Sequence, residues 1–151
     1  MSRFANTIGT AMLIALSAGG AMAERVNVSL NGTVEQSVAR LVEAVEGAGA
    51  RVFATVDFSQ GAASVGEELR PTTVVIFGSP RIGSTALQEK QSLALYLPLR
   101  ILFFEDASGQ GWAIYDDPTA VAPTHGVAAD NAAVLKMKGA LERFSAVAAG
   151  S

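Results

Sequence analysis

The chain contains no cysteine, which excludes disulfide bonds, thiolate catalysis, covalent c-type haem attachment and thiolate metal sites. It has a single histidine, His125, and one imidazole cannot make a closed metal site. Basic residues are also few: Lys and Arg number 11 against 14 Asp and Glu, and they form no basic run. This mildly acidic balance argues against nucleic acid and anionic membranes as partners.

The leader, Met1–Ala23, has no acidic residue and a single basic one, Arg3. An apolar stretch at residues 11–16 is followed by the small-x-small motif Ala21-Met22-Ala23. This order predicts a secretory signal peptide cleaved after Ala23, and therefore a periplasmic or secreted protein with no stable membrane insertion after cleavage. The stretch is short of the roughly 20 apolar residues that span a bilayer, and a retained anchor is the alternative. By length, residues 24–151 form one domain.

Hydrophobic periodicity predicts the elements of the first half. Alternating residues predict strands at residues 25–30 and 51–58. Between them, Thr33 and Gln36 have the spacing of a capping box that starts an amphipathic helix. Ser59 is expected to cap a short helical turn, and the β-branched run 72–77 predicts a central strand buried on both faces.

The second half predicts a loop, a hairpin and a closing helix. Residues 78–85 contain two glycines and a proline and predict a loop, followed by a helix-permissive stretch up to Tyr96. Strands at residues 99–104 and 111–115 flank a turn, and Asp130 is expected to cap the last helix. The order predicts an α+β, two-layer sandwich of the β-α-β-β-β-β-α type, with helices packed on one face of a mostly antiparallel sheet.

Several motifs from Arg51 to the chain end resemble the domain-of-unknown-function family number 302. They are Phe53-Ala54-Thr55-Val56-Asp57, Leu69-Arg70-Pro71-Thr72, Phe77-Gly78-Ser79-Pro80 with Gly83 and Thr85, Leu97-Pro98-Leu99-Arg100-Ile101-Leu102, Glu105-Asp106, Tyr115-Asp116-Asp117-Pro118 and His125-Gly126. The family usually has Asn where this chain has Ser79. The resemblance implies a β-α-β-sheet-α sandwich that often associates as dimers. It implies no particular activity, because no activity common to the family is established.

His125 is the residue with the most distinctive chemistry, as an axial ligand to haem or a metal or as a general base. Our first hypothesis is a non-enzymatic module that binds a small apolar ligand, with haem as a candidate held by His125 near Tyr115 at a homodimer interface. The alternative for His125 is a loop histidine that hydrogen-bonds the backbone or caps a helix.

The competing hypothesis is a small hydrolase or anion-binding enzyme. Its anion would lie in the predicted Gly/Pro loop, with His125 as base, and the loop residues concerned are Gly78, Ser79, Arg81, Gly83 and Thr85. The same loop is also explained as a plain strand-to-helix connection. A third hypothesis is a structural, partner-docking domain without a small-molecule site.

Carboxylates and aromatics near the predicted strands are assigned structural roles. The acids are expected to be solvated turn residues: Glu105, Asp106, Asp116 and Asp117. Asp57, which falls inside a predicted strand, is expected to pair with Arg70 or Arg100. The aromatics are expected to fill the core between sheet and helices, with an apolar ligand pocket or a dimer seam as alternatives: Phe103, Phe104, Trp112 and Tyr115.

Overall fold

The structure, a computed structural model, describes residues 24–151, and the predicted signal peptide lies outside them. The strands are β1 (Arg25–Ser29), β2 (Arg51–Asp57), β3 (Thr72–Gly78), β4 (Leu99–Glu105) and β5 (Gly111–Asp116). The α-helices are α1 (Val34–Gly47), α2 (Phe58–Ala63), α3 (Pro80–Glu89), α4 (Pro118–Val121) and α5 (Ala132–Ala149). Two 3-10 turns, Gln91–Tyr96 and Ala122–His125, follow α3 and α4.

The strands form one five-stranded sheet in the order β1-β5-β4-β3-β2, and every neighbouring pair is antiparallel. The main core lies between one face of this sheet and helices α1 and α5. Its largest fully buried side chains include Phe77 and Phe103 from the strands and Leu41 and Leu141 from the helices. The predicted α+β sandwich with an antiparallel sheet is therefore confirmed.

Helix α1 begins as the sequence predicts. The Thr33 hydroxyl accepts a hydrogen bond from the Gln36 backbone N–H at 3.1 Å, and the Gln36 side chain accepts one from the Thr33 N–H at 3.2 Å. The capping box thus satisfies two backbone donors that the helix itself leaves unpaired. Leu41 and Val45 on the apolar stripe are completely buried against the sheet.

Helix α5 ends against the start of the fold. The Arg40 guanidinium of α1 donates two hydrogen bonds to the Ala148 carbonyl, at 3.0 and 2.9 Å, and the Asn31 backbone N–H donates to the Ala149 carbonyl at 2.8 Å. These bonds satisfy carbonyls that a helix C-terminus leaves unpaired. At the other end of α5 the expected cap was wrong by one residue. Asn131, not Asp130, accepts the hydrogen bond from the Ala133 N–H, at 2.9 Å.

The prediction of a loop at residues 78–85 is wrong, because most of this segment is helical. Helix α3 begins at Pro80, five residues before the expected helix start at Thr85, and a 3-10 turn follows it instead of a continuous helix to Tyr96. Proline fits the first helical position because its fixed φ is helical and its missing N–H has no partner there in any case. Gly83 weakens the helix without breaking it.

The two faces of the sheet differ, which corrects the prediction that β3 is buried on both. Val75 and Phe77 are completely buried under the helices, whereas Val74 and Ile76 on the opposite face are half-buried. The predicted core aromatics divide in the same way. Phe103 and Tyr115 lie in the core, and Phe104 and Trp112 lie half-buried on the opposite face.

Asp57 has a different role from the one expected. It ends β2 and caps α2, with its carboxylate accepting hydrogen bonds from the Gln60 backbone N–H at 3.0 Å and the Ser59 hydroxyl at 2.5 Å. These two bonds lower the pKa of the Asp57 carboxyl, with the Ser59 bond contributing most. The cap therefore belongs to Asp57 and not to Ser59, and within residues 24–151 no arginine pairs with Asp57.

Candidate functional site

A cavity of about 380 Å³ lies at the end of the sheet where β3 stops and β4 begins. Its floor is the Phe77–Phe144 pair, whose rings meet edge to face with centroids 5.5 Å apart. Helix α3 forms one wall with Ile82 and Leu87, and α5 forms another with Met137. The lining is therefore mostly apolar, as in typical small-molecule pockets.

The third wall is the connection between α1 and β2 together with the Phe53 ring, and the Leu97–Leu99 segment closes the side next to β4. Phe53 is the extra residue of a bulge in β2, because Val52 pairs with Phe77 and Ala54 pairs with Ile76. A bulge reorients the side chain of the inserted residue. The Phe53 side chain thus reaches the cavity, and the residue is 46% exposed.

The cavity exists because small residues meet where larger ones would fill the space. Gly49 and Ala50 face it from the α1–β2 connection, Gly83 from α3 and Ala140 from α5. A Cβ added at Gly83 would meet only the Leu97 side chain, at 3.8 Å, which is an ordinary van der Waals contact. The empty volume is therefore set by residue size at positions far apart in the chain.

Few polar groups line this cavity. Ser79, the N-cap residue of α3, makes no side-chain hydrogen bond to that helix. Ser84 lies one turn further along α3, and Arg143 on α5 is an exposed residue whose guanidinium lies 4.7 Å from the centre of the Phe144 ring. No Asp or Glu lines the cavity. Its one charged lining residue is therefore cationic.

The five residues of the predicted anion loop separate in the structure. Gly78, Ser79 and Gly83 line the cavity, whereas Arg81 and Thr85 lie on α3 outside the lining. The Thr85 hydroxyl donates a hydrogen bond to the Arg81 carbonyl at 3.1 Å, inside the helix. Three of the five residues thus contribute to the lining of an apolar cavity, and two do not.

His125 and Tyr115 lie outside the cavity lining. His125 ends the second 3-10 turn, with Nδ1 3.1 Å from the Ser92 hydroxyl and its ring edge-on to Tyr96 at 5.1 Å between centroids. Tyr115 lies in the main core, where burial raises the pKa of its phenol. Among the described residues, the aromatic ring that contacts His125 is thus that of Tyr96 and not that of Tyr115.

Asp117 corrects the expectation of a solvated turn acid, because it is buried. It caps α4 through the Thr119 backbone N–H at 2.8 Å and pairs with Lys138 of α5. Burial raises the pKa of the Asp117 carboxyl, but the hydrogen bonds from Lys138 and Thr119 outweigh burial and leave the pKa below its ordinary value. The cluster joins α4 to α5.

Asp106 fits the expected turn role. It accepts hydrogen bonds from the Ser108 hydroxyl at 2.6 Å and from the Trp112 indole N–H at 2.8 Å. These bonds, with Ser108 first, hold the pKa of the Asp106 carboxyl well below its usual range. The carboxylate is thereby committed to the β4–β5 hairpin.

The residues that sequence reasoning missed are the α5 and α1–β2 walls, above all Ala140, Arg143 and Gly49. The available signal was weak, namely small residues in the α1–β2 connection and in α5. Across residues 24–151, no group of three His, Asp or Glu residues is placed to hold a metal ion. In that same part of the chain, none of the helices combines the length and the apolar character needed to cross a membrane.

Two similar proteins come from Brucella. The chain is 34% identical over 111 residues to the fluoride-specific ion channel FluC 1 of Brucella suis biovar 1, a match that covers 74% of this chain and 44% of that protein. The FluC 1 protein of Brucella abortus biovar 1 is also 34% identical over 111 residues, with 41% of its length covered. The match thus spans less than half the length of these relatives.

A solved structure shares the fold. The crystal structure of the uncharacterized conserved protein DUF302 from Bacillus stearothermophilus superimposes with a TM-score of 0.65 at 15% identity, covering 83% of this chain and 95% of that one. The family model for the domain of unknown function DUF302 matches residues 26–144, which include β2 to β5, all of β1 except Arg25, and most of α5. The chain therefore belongs to the DUF302 family.

Proposed function

We propose that the chain is a non-enzymatic small-ligand-binding module whose apolar ligand occupies the cavity between α3, α5 and the α1–β2 connection. One observation carries the proposal: a cavity of about 380 Å³ with a mostly apolar lining. This volume falls within the roughly 300–1,000 Å³ of small-molecule pockets. An apolar guest would restore the dispersion contacts that the lining atoms lack while the space is empty.

The polar groups of the protein also favour an apolar guest. Within residues 24–151, no buried side-chain nitrogen or oxygen lacks a hydrogen-bond partner. The cavity therefore exposes no unpaired buried side-chain atom that would need a hydrogen bond from a polar ligand. Polar chemistry is confined to Ser79, Ser84 and Arg143.

The test is a titration with N-phenyl-1-naphthylamine, a neutral apolar dye that fluoresces when it leaves water. We expect saturable binding of one dye per chain. Gly83→Leu should reduce it at least tenfold, because the new side chain occupies the cavity. Gly139→Leu is the matched control, since Gly139 is a helical glycine outside the lining with nothing within 4 Å of an added Cβ. Binding that both variants leave unchanged would contradict the proposal.

A second candidate, haem binding at His125, is favoured by a separate observation. Nδ1 of His125 is held by the Ser92 hydroxyl, and Nε2 has no hydrogen-bond partner among the described residues. Histidine ligands of metals are typically oriented in this way, with one nitrogen fixed and the other free to coordinate. Tyr96, whose ring contacts that of His125, and its chain neighbour Leu95, which is 75% exposed, provide apolar surface. We propose this patch as the place where a flat cofactor would lie.

Hemin titration tests this second candidate. The wild-type chain should shift the Soret band, and His125→Ala should abolish the shift. Tyr115→Phe keeps the buried ring and removes only the phenol, so it separates a role for Tyr115 at the cofactor from its role in the core. Absence of a Soret shift in the wild type, or a shift that survives His125→Ala, would remove haem from consideration at this residue.

We also propose that a second copy of the chain packs on the sheet face opposite α1 and α5. The central positions of this face are apolar and uncharged: Val74, Ile76, Leu102, Phe104 and Ile114. A two-fold interface places each patch against itself, so a patch with a net charge would repel its copy and an uncharged one does not.

Ile114→Lys should give a monomer in analytical ultracentrifugation. Val147→Lys, on the exposed side of α5, should leave the wild-type state; a monomeric wild type would contradict the proposal.

Export remains a prediction of the leader pattern. Expression of the full chain followed by mass spectrometry of the periplasmic fraction should find an N-terminus at Glu24. A protein that retains Met1 and stays with the cytoplasmic fraction would refute both the cleavage and the location.

A further inference from the structure

The arginines of residues 24–151 divide into two groups by their partners. Those in the first group bond to protein oxygens: Arg25 to Asp116, Arg40 to Ala148, Arg70 to Glu105 and Arg100 to Leu95. The guanidinium groups of Arg51, Arg81 and Arg143 take part in none of the hydrogen bonds or ion pairs found within these residues. The second group is therefore free to bind an anion.

One of these three arginines lines the cavity, and the other two are neighbours of lining residues. Arg143 lines it, with its guanidinium 4.7 Å from the centre of the Phe144 ring. The Arg51 guanidinium lies 5.4 Å from the centre of the Phe53 ring, which also lines it. Arg81 lies in the first turn of α3, between two lining residues. One arginine without an acidic partner thus lines the apolar cavity, and two more lie beside residues that line it, in a chain whose formal charge is −3.

The ring contacts position the charges of Arg51 and Arg143 without neutralising them. A guanidinium over an aromatic face keeps its N–H donors and its full charge while its flat face packs on the ring. The positive end of the α3 dipole also lies at the cavity, since the helix begins there beside Ser79. No carboxylate lines the cavity to compete for these groups.

We infer that the ligand is a single-chain amphiphile with an anionic head, whose apolar chain fills the cavity and whose carboxylate or phosphate lies among Arg51, Arg81 and Arg143. The inference rests on the proposed apolar-ligand function and adds the head group. Guanidinium groups match both kinds of head because their paired N–H donors fit two oxygens at once. The Ser79 hydroxyl, which makes no cap bond, is a further donor.

The experiment is displacement of N-phenyl-1-naphthylamine by three compounds with the same chain, each below its micelle concentration: dodecanoate, dodecyl phosphate and neutral dodecanol. We expect at least one of the anionic compounds to displace the dye about tenfold more effectively than the alcohol, since three solvent-exposed charge contacts each contribute a few-fold. Arg51→Gln/Arg81→Gln/Arg143→Gln should remove that difference and leave dodecanol unchanged. Arg70→Gln, a charge loss at the opposite end of β3, is the control.

The possible outcomes test the anionic head group separately from the binding of an apolar ligand in the cavity. If the dye binds and dodecanol displaces it as well as both anions do, the anionic head group is refuted and the apolar site stands. A preference for the anions that survives the triple substitution also refutes the inference. If the dye does not bind, both fall. Whichever anion displaces the dye better identifies the head as carboxylate or phosphate.

Discussion

Replacing Gly83 by alanine should stabilise the protein, because Gly83 lies inside α3 and faces empty space. Its φ is not in the left-handed region, and the new Cβ would meet only the Leu97 side chain, at 3.8 Å. Alanine is favoured over glycine in a helix interior by about 1 kcal/mol. The contact with Leu97 adds a few tenths of a kcal/mol at most, since each atom pair contributes about 0.1–0.2 kcal/mol.

Gly139→Ala is the matched comparison. Gly139 lies inside α5, and an added Cβ there has nothing within 4 Å, so only the helix-propensity gain applies. Both variants should unfold at higher urea with the same slope, and each should raise the melting temperature by about 3–6 °C, the shift expected for 1 kcal/mol in a domain of this size. Circular dichroism measures both quantities.

The comparison can fail in an informative way. If Gly83→Ala lowers the unfolding free energy while Gly139→Ala raises it, the space beside Gly83 is already filled and the cavity is smaller than described. A gain at both positions combined with unchanged dye binding in Gly83→Ala shows that one methyl group fits beside the guest. The larger Gly83→Leu change then defines the limit of the available volume.

Two further predictions concern polar contacts. Asp117→Asn should cost about 2 kcal/mol in urea unfolding, because it leaves Lys138 beside an uncharged partner, and the partial exposure of Lys138 keeps the cost below that of a fully buried pair. Since the pKa of Asp117 is lowered on folding, its contribution is complete above about 3.8 and is lost as the pH falls through the lower folded-state value. The acid unfolding of Asp117→Asn should therefore be shallower than that of the wild type; an equally steep curve would contradict the assignment. Thr33→Ala should cost about 1 kcal/mol through loss of the capping box, and Thr33→Ser should restore most of it. Equal stability of the alanine and serine variants would refute the role of the cap.

Local signals in the sequence were enough to predict the sheet and α1. The capping box at Thr33 and Gln36 acts within one turn, and strand alternation depends on nearest neighbours, so neither needs distant contacts. The start of α3 was missed because Pro80 and Gly83 were interpreted as loop residues, whereas proline at the first helical position favours a helix. Asp57 was misassigned for a similar reason, since a residue that ends a strand can also cap the next helix.

The cavity and the buried Asp117 could not be predicted because they depend on residues brought together by the fold. Gly49, Gly83 and Ala140 share the cavity surface although they lie in three separate elements. Lys138, which compensates the buried Asp117 carboxylate, lies 21 residues further along the chain. No single window of the sequence contains these pairings.

The bonds between the two ends of the chain have a consequence for the timing of folding. Strand β1 can pair only when β5 has been synthesised, because β5 is its sole neighbour in the sheet formed by residues 24–151. The Arg40 contact with Ala148 spans 108 residues of sequence, so it forms only when Ala148 has left the ribosome. Contacts of such long separation slow folding because the loop between them must close first. We therefore expect the complete sandwich, with its cavity, to form only after α5 has been synthesised.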